Sequence, residues 1–472
     1  MNIFGYQIDL LLLWTIIAGL AAIVIALFAW ILPPRGHLRK EEEERTKRIE
    51  ESAQTATKEA IAAKEEAMKA KEKADLANKN IENIERHLGI PIYTDGLPFS
   101  NPRVFDPFFE GSKLMTEYKW SEAIVEFRRA MKEAKASELV RLYNFIGLCY
   151  YTTGKLELAQ ENYEKSLTLA KEFGDNAGEA MALGNLGLIY QIMGNFDEAL
   201  KYHEKALKIF IEINNQKDKA TTLNNLGVIF QSKGNLDEAF KYHEEALKIS
   251  SETGNQIDKA RALGSLGLIY QTKRIFDKAL EYYVAALKIF RESGYKEGEA
   301  STLNNLGIFF QSKGDIDEAL RYYQEALKID RQINNRLDEA KALNNIAVIL
   351  RTKGDLDTAL VSHTEALKIF MEIGNKEGEA RIFNNIGLIY KIKGNLQEAL
   401  KYLEKALKIY EEIGNKEGEA LASINLGLIF QTKGEKEKAL KYMEASLNQF
   451  TQIGAQREID SIKQDIEKIK DK

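Results

Sequence analysis

A 40-residue repeat constrains the fold of this chain more than any other feature of its sequence. The string LNNLGVIFQSKGNLDEAFKYHEEALKI at 223–249 recurs with that period, without insertion from Gly147 onward. A small residue marks the same position in each repeat: Gly147, Gly187, Gly227, Gly267, Gly307, Ala347, Gly387 and Gly427. Periods of about 20 to 50 residues are typical of arrays in which each repeat packs on its neighbours. The chain is therefore predicted to grow by repetition instead of folding around one large core.

The helix boundaries follow the same period. A second glycine in most repeats, such as Gly234, stands where a helix ends in a left-handed residue, and Asn235 with Glu238 then opens the next helix. Each repeat is therefore predicted to be a helix, a tight turn and a second helix. Arg274 replaces the turn glycine in one repeat, which predicts a strained or locally different turn there. Because all six prolines precede residue 108, the stretch 108–472 is predicted to be helical throughout.

The small and apolar residues of each repeat resemble the tetratricopeptide pattern. In one repeat they are Leu186, Gly187, Tyr190, Ala199 and Ala206. The period of 40 is similar to the longer subclass seen in kinesin light chains and in the Leu-Gly-Asn repeat scaffolds of spindle orientation. The resemblance implies an all-α fold, a right-handed α-solenoid of helix-turn-helix repeats over 108–452, whose first helices line a concave binding surface. An apolar stripe over 453–472 predicts a capping helix at its end.

The N-terminal residues predict a membrane anchor. After a short tail at 1–9, residues 10–32 carry no charge and would span about 35 Å as a helix, enough for a hydrocarbon core of about 30 Å. A cleaved signal peptide is the alternative, but no Lys or Arg precedes the apolar run. Basic residues follow it, which predicts a single-pass membrane protein with its repeats in the cytoplasm.

The next segment, 39–88, is highly charged and rich in alanine. Apolar residues alternate at spacings of four and three from Ile49 to Leu88, the heptad pattern of a coiled coil. We expect this segment to be a stalk that self-associates into a homo-oligomer, most firmly through Ile81, Ile84 and Leu88. The alternative is a lone helix supported by Glu and Lys pairs, since alanine buries little area. The proline-rich residues 89–107 are predicted to link the stalk to the repeats.

One polar residue recurs on the first helices without an evident packing reason. Asparagine stands two residues before the small-residue position at Asn185, Asn225, Asn305, Asn345, Asn385 and Asn425. Because asparagine is unfavourable inside helices, its repeated use needs an explanation. An amide both donates and accepts hydrogen bonds, so a ladder of amides can hold the backbone of an extended peptide. In proteins of the family that the chain resembles, such asparagines do this. The alternative is that each amide bonds the neighbouring repeat.

Two further sets of residues complete the predicted peptide-binding groove. Polar residues four positions after the small residue would add contacts: Gln231, Gln311, Arg351 and Lys391. Basic residues six positions before it would favour an acidic partner: Arg261, Lys341 and Arg381. For these cations, a merely solvated helix face is the alternative.

Composition and motifs exclude several function classes. A net charge of −5 lacks the basic excess of nucleic-acid-binding proteins. The single cysteine, Cys149, excludes an intramolecular disulfide framework, and His203, His243 and His363 occupy apolar packing positions. We find no phosphate-binding loop, metalloprotease motif or nucleophile elbow, so no enzyme, metal site or cofactor is predicted.

The predicted function is a membrane-anchored scaffold that binds an extended or helical segment of a cytoplasmic protein. The alternative is a structural protein that organises a membrane-associated homo-oligomer.

Overall fold

The structure is a computed structural model that describes residues 2–3, 6–7, 38–88, 102–117 and 119–470. The chain divides into two compact parts. The first part contains residues up to 84 and residues 94–153, and the second contains residues 85–93 and 154–472.

The first part begins with a two-stranded antiparallel ladder of β1 (Asn2–Ile3) and β2 (Tyr6–Gln7). Its helices are α1 (Leu38–Leu88, in this part as far as Ile84), α2 (Pro102–Thr116), α3 (Trp120–Met131) and α4 (Ala136–Thr152). Its core is aromatic: the ring of Phe108 lies 5.8 Å from that of Phe127 and 5.1 Å from that of Phe145. Gly111 permits this packing, because a Cβ there would lie 2.6 Å from the Phe127 ring.

The predicted stalk corresponds to α1, which lies beside α2. Lys73 Nζ is 3.0 Å from Asp106 Oδ1, and Ala77 and Ile81 are fully buried within the single chain. Ile81, one of the three firmest seam residues, is thus already covered without a second copy. The coiled coil and the homo-oligomer stay predictions. Of the predicted linker, residues 89–101 lie outside the described residues, while Pro102 occupies the first position of α2, where its missing N–H is tolerated.

The predicted membrane anchor requires correction. Across the helices that the structure describes, none is both long and apolar enough to cross a bilayer. The helix with sufficient length, α1, has a charged sequence, and the repeat helices alternate apolar and charged faces. This finding contradicts the predicted transmembrane helix and, with it, the single-pass membrane location; both predictions are wrong for the described fold. Residues 10–32 themselves lie outside the described residues.

The second part is a stack of helix pairs followed by a last helix. After α5 (Leu156–Phe173), the pairs are α6 (Asn176–Ile192) with α7 (Phe196–Glu212), α8 (Gln216–Ser232) with α9 (Leu236–Thr253), α10 (Gln256–Thr272) with α11 (Phe276–Ser293), α12 (Lys296–Lys313) with α13 (Ile316–Gln332), α14 (Arg336–Thr352) with α15 (Leu356–Glu372), α16 (Lys376–Ile392) with α17 (Leu396–Ile413), and α18 (Lys416–Thr432) with α19 (Lys436–Ile453). The last helix is α20 (Gln456–Lys470), whose isoleucines pack against the preceding pair. This part is an all-α solenoid of repeats, as the period predicts.

The glycines explain both the turns and the close packing of each pair. Gly234 ends α8 with a φ of 77°, and Arg274 keeps the same left-handed geometry with a φ of 60°, at the steric cost that a side chain brings there. Inside the pairs, a Cβ on Gly307 would lie 2.5 Å from the ring of Tyr323, so only a glycine lets α12 and α13 approach this closely. Asn235 caps α9 by accepting a hydrogen bond from the N–H of Glu238 at 3.3 Å.

Candidate functional site

Two of the predicted asparagines open into one pocket between neighbouring first helices. Asn185 of α6 and Asn225 of α8 line it together with Gly184, Leu188 and Phe210. Asn185 is buried, whereas Asn225 is half-buried. The pocket is therefore lined by both amide and apolar groups, and we name it the α6–α8 pocket.

Three other asparagines of the series bond the neighbouring repeat. Their Nδ2 atoms donate to the Oδ1 atom of an asparagine on the preceding first helix, at 2.9 Å in each pair: Asn345 to Asn304, Asn385 to Asn344 and Asn425 to Asn384. These are the contacts that the alternative explanation of the asparagines requires. We call Asn345, Asn385 and Asn425 the bonded amides.

The side chains of Asn225 and Asn305 have no such partner. The residue that would accept their hydrogen bond is glycine, Gly184 for Asn225 and Gly264 for Asn305. Within the described part of the chain, neither amide makes a hydrogen bond, and both side chains are half-buried. We call these two residues the open amides, because their donors and acceptors are available to a ligand.

Among the polar residues four positions after the small residue, Gln311 contacts the second helix of its own pair. Gln311 Oε1 accepts a hydrogen bond from the hydroxyl of Tyr323 at 2.8 Å. Arg351 and Lys391 occupy the same place in later repeats, where burial lowers the pKa of both side chains. Gln231 is half-buried at this position too. Gln311 therefore serves the packing of its own repeat.

Most of the predicted groove cations are engaged by neighbouring acids. Arg261 donates to Asp258 Oδ1 at 3.2 Å and to the Tyr295 hydroxyl at 3.2 Å, and its guanidinium lies 5.5 Å from the Tyr295 ring centre. Lys341 Nζ is 2.8 Å from Asp338 Oδ1. Arg381 is exposed. Two of the three cations are thus locally neutralised, which weakens the expectation of an acidic partner.

Sequence reasoning missed two acidic residues on the same face, Asp330 and Glu297. Burial, together with the nearby carboxylates of Asp338 and Glu339 and against an opposing effect of Lys341, raises the pKa of Asp330 to about 7. Burial likewise raises the pKa of Glu297 to about 7. The sequence did contain a signal, because the repeats carry an aromatic residue at most positions equivalent to Asp330.

Stacked helix pairs that share one polar face define the class of helical-repeat proteins. The chain belongs to the tetratricopeptide repeat family, whose model matches residues 138–212, 218–292, 298–372 and 378–452. No curated protein sequence matches it.

Several solved structures are similar in fold. One is a signal transduction ATPase with numerous domains and a tetratricopeptide repeat sensor from Pyrococcus horikoshii, 17% identical over 78% of this chain and 56% of that chain, with a TM-score of 0.55. Another is a Rap protein complexed with competence and sporulation factor, 14% identical over 74% of this chain and 99% of that chain, with a TM-score of 0.55. A third is the Rap conjugation gene regulator of the plasmid pLS20 in complex with the Phr* peptide, 15% identical over 75% of this chain and 96% of that chain, with a TM-score of 0.50.

Proposed function

We propose that the chain is a protein-interaction scaffold whose first helices hold an extended peptide segment of a partner, with the open amides Asn225 and Asn305 contacting the peptide backbone. The observation that carries the proposal is the α6–α8 pocket, which Asn185 and Asn225 line from neighbouring repeats. A peptide backbone presents alternating N–H and C=O groups, and an amide side chain can satisfy both. No catalytic activity is proposed.

The neighbouring apolar surface completes the chemistry of such a site. Leu188 and Phe210 line the pocket beside the two asparagines, and the pocket encloses only about 10 Å³. A side chain of the peptide can therefore lie against its apolar surface, outside the pocket, while the peptide backbone bonds the amides. Of the structural neighbours, one is a complex with competence and sporulation factor and another is a complex with the Phr* peptide. Both observations support a peptide ligand for this fold, and the partner's identity is left to experiment.

A display selection with random 12-residue peptides against the full chain tests this proposal. We expect peptides to be enriched, and a selected peptide to bind the double variant Asn225→Ala with Asn305→Ala about tenfold more weakly, because two hydrogen bonds to the backbone are lost. Fluorescence anisotropy with the labelled peptide measures the affinity.

The matched control is Asn385→Ala with Asn425→Ala, which removes two bonded amides from the same repeat position. We expect its affinity for the peptide to change less than about threefold, because these amides bond the neighbouring repeat. Equal losses in the two double variants would show that the open amides have no special role. If no peptide is enriched against the wild type, the proposed function is wrong.

A further inference from the structure

One repeat carries an acidic residue where the others carry apolar or small ones. The position lies in the last turn of the second helix, and most repeats fill it with an aromatic residue: Phe210, Phe290, Phe370, Tyr410 and Phe450. Ala170 and Ser250 also occupy it, and Asp330 is the one charged residue of the series. The side chain of Asp330 is buried, with 2% of the residue exposed. A carboxyl group in such a place costs free energy unless a partner compensates it.

The surrounding ion pairs leave Asp330 without compensation. Lys341 is bound to Asp338, and Glu339 is bound by two arginines, Arg331 at 3.0 Å and Arg336 at 2.6 Å. Among the residues that the structure describes, no cation forms an ion pair with Asp330, and its Oδ1 atom has no hydrogen-bond partner.

Glu297, on the first turn of α12, also lacks an ion-pair partner among the described residues. Its Oε2 accepts a hydrogen bond from the Tyr295 hydroxyl at 3.3 Å. Arg261 faces it but is held by Asp258. Asp330 and Asp338 lie close enough for their charges to raise the pKa of Glu297.

Repeat symmetry relates Asp330 to a residue of the α6–α8 pocket. A shift of three periods, 120 residues, takes Phe210 of the α6–α8 pocket to Asp330, and Asp218 to Asp338. The same shift takes the two asparagines of that pocket to Asn305 and Asn345. Phe210 lines the α6–α8 pocket, so Asp330 occupies the corresponding place between α12 and α14. Here the apolar wall of the pocket is replaced by a carboxylate.

We propose that Asp330 and Glu297, the α12–α14 site, bind a lysine or arginine side chain of the peptide held by the first helices. The inference rests on the proposed function and adds the chemistry of one ligand residue. A long aliphatic stem can pass the half-buried asparagines, and its cationic head can bond the unpartnered Asp330 Oδ1 atom. A metal ion is a poorer occupant, because no group of three potential ligands in the described residues has the geometry to hold one. The raised pKa values of Asp330 and Glu297 agree with two carboxylates that lack a cation.

The same display selection, run in parallel on the wild type and on Asp330→Asn, tests the site. We expect the wild type to enrich Lys or Arg at one peptide position, and the Asp330→Asn variant to enrich peptides without that preference. In a selected peptide, replacing the basic residue by norleucine should weaken binding to the wild type about tenfold and to the variant less than twofold. Acetylating the peptide's amino terminus should leave the affinity unchanged.

A second variant and a pH series keep the test decisive if Asp330→Asn folds poorly. Asp330→Phe recreates the Phe210 and Asp218 combination of an earlier repeat, so it should fold and should lose the basic preference. With the wild type alone, the affinity for the basic peptide should fall about tenfold between pH 8 and pH 5.5, because the carboxylates take up protons in that range.

Peptide binding without any basic preference would overturn this inference and leave the proposed function standing. A preference that depends on the free amino terminus would overturn the side-chain assignment, and a failure to enrich any peptide would overturn both proposals.

Discussion

The open amides of α8 and α12 and the bonded amides of α14, α16 and α18 occupy the same position of the repeat but differ in their contacts. The difference comes from the residue three positions before the small residue in the preceding repeat. Where it is Asn304, Asn344 or Asn384, it accepts a hydrogen bond from the next repeat at 2.9 Å. Where it is Gly184 or Gly264, no acceptor exists. One neighbouring residue therefore decides whether a recurring asparagine joins two repeats or makes no hydrogen bond among the described residues.

The α8 and α10 helices are joined by a different contact. Ser265 interrupts the asparagine series, so Asn224 has no amide of the next repeat to bond. Asn224 Nδ2 donates instead to the backbone oxygen of Asp258 at 3.3 Å, and the Thr221 hydroxyl donates to Asp258 Oδ2 at 2.7 Å. The α8 and α10 helices are thus joined through the buried residue Asp258. Asn225 takes no part in this contact.

Removing all three bonded amides should have the largest effect on stability. In the triple variant Asn345→Ala, Asn385→Ala and Asn425→Ala, three hydrogen bonds between repeats are lost. At roughly 1 kcal/mol for each bond, the free energy of unfolding should fall by about 3 kcal/mol. Urea unfolding followed by circular dichroism measures the change.

The control for this experiment is the pair of open amides. Asn225→Ala with Asn305→Ala removes no hydrogen bond within the described structure and places a better helix former in each helix, so stability should be unchanged or slightly higher. If the two sets of variants were destabilised equally for each residue, the distinction between open and bonded amides would be wrong.

Replacing a buried histidine of the earlier repeats should change the free energy of unfolding by a somewhat smaller amount. Burial lowers the pKa of His203 to about 4, whereas in the unfolded chain it is close to 6.5. The unfolded state therefore binds more protons between these values, and the free energy of unfolding falls as the pH decreases from about 6.5 to 4. In a later repeat, Tyr323 fills the same place and bonds Gln311. The matching Gln191 Oε1 is buried and has no hydrogen-bond partner among the described atoms.

His203→Tyr should therefore stabilise the chain, most clearly in acid. The new hydroxyl can donate to Gln191, and the acid sensitivity of this position disappears, so we expect a gain of about 1 kcal/mol at pH 7.5 and about 2 kcal/mol or more at pH 5. Urea unfolding at both pH values measures it. His243→Tyr is the comparison, because His243 Nδ1 lies 3.1 Å from Asn224 Oδ1 and this contact would be lost. A pH-independent gain in His203→Tyr would contradict the explanation.

Much of the fold could be predicted from the sequence because each repeat is a local unit. The turn glycine at Gly234 and the cap at Asn235 act within a few residues, so their pattern specifies helix ends without knowledge of the stack. The roles of the asparagines could not be predicted in this way, since they depend on a partner about 41 residues away in the preceding repeat. Asp330 was missed because its carboxyl group stands out only when equivalent positions of all repeats are compared. The membrane prediction rested on the apolar length of one segment, and no described helix supports it.

The smallest expected effect would convert an open amide into a bonded one. Gly264 has open space where a Cβ would lie, so Gly264→Asn can be accommodated without a clash and would offer Asn305 the acceptor that Asn304 offers Asn345. The new bond and the better helix propensity should raise the free energy of unfolding by about 1 kcal/mol, while the peptide affinity should fall because the Asn305 amide is occupied. Gly264→Ala provides the control, since it improves the helix but supplies no acceptor, and it should leave the peptide affinity unchanged. Urea unfolding and anisotropy on both variants separate the two contributions; an equal loss of affinity in both would mean that the space beside Asn305, and not its amide, is what the peptide requires.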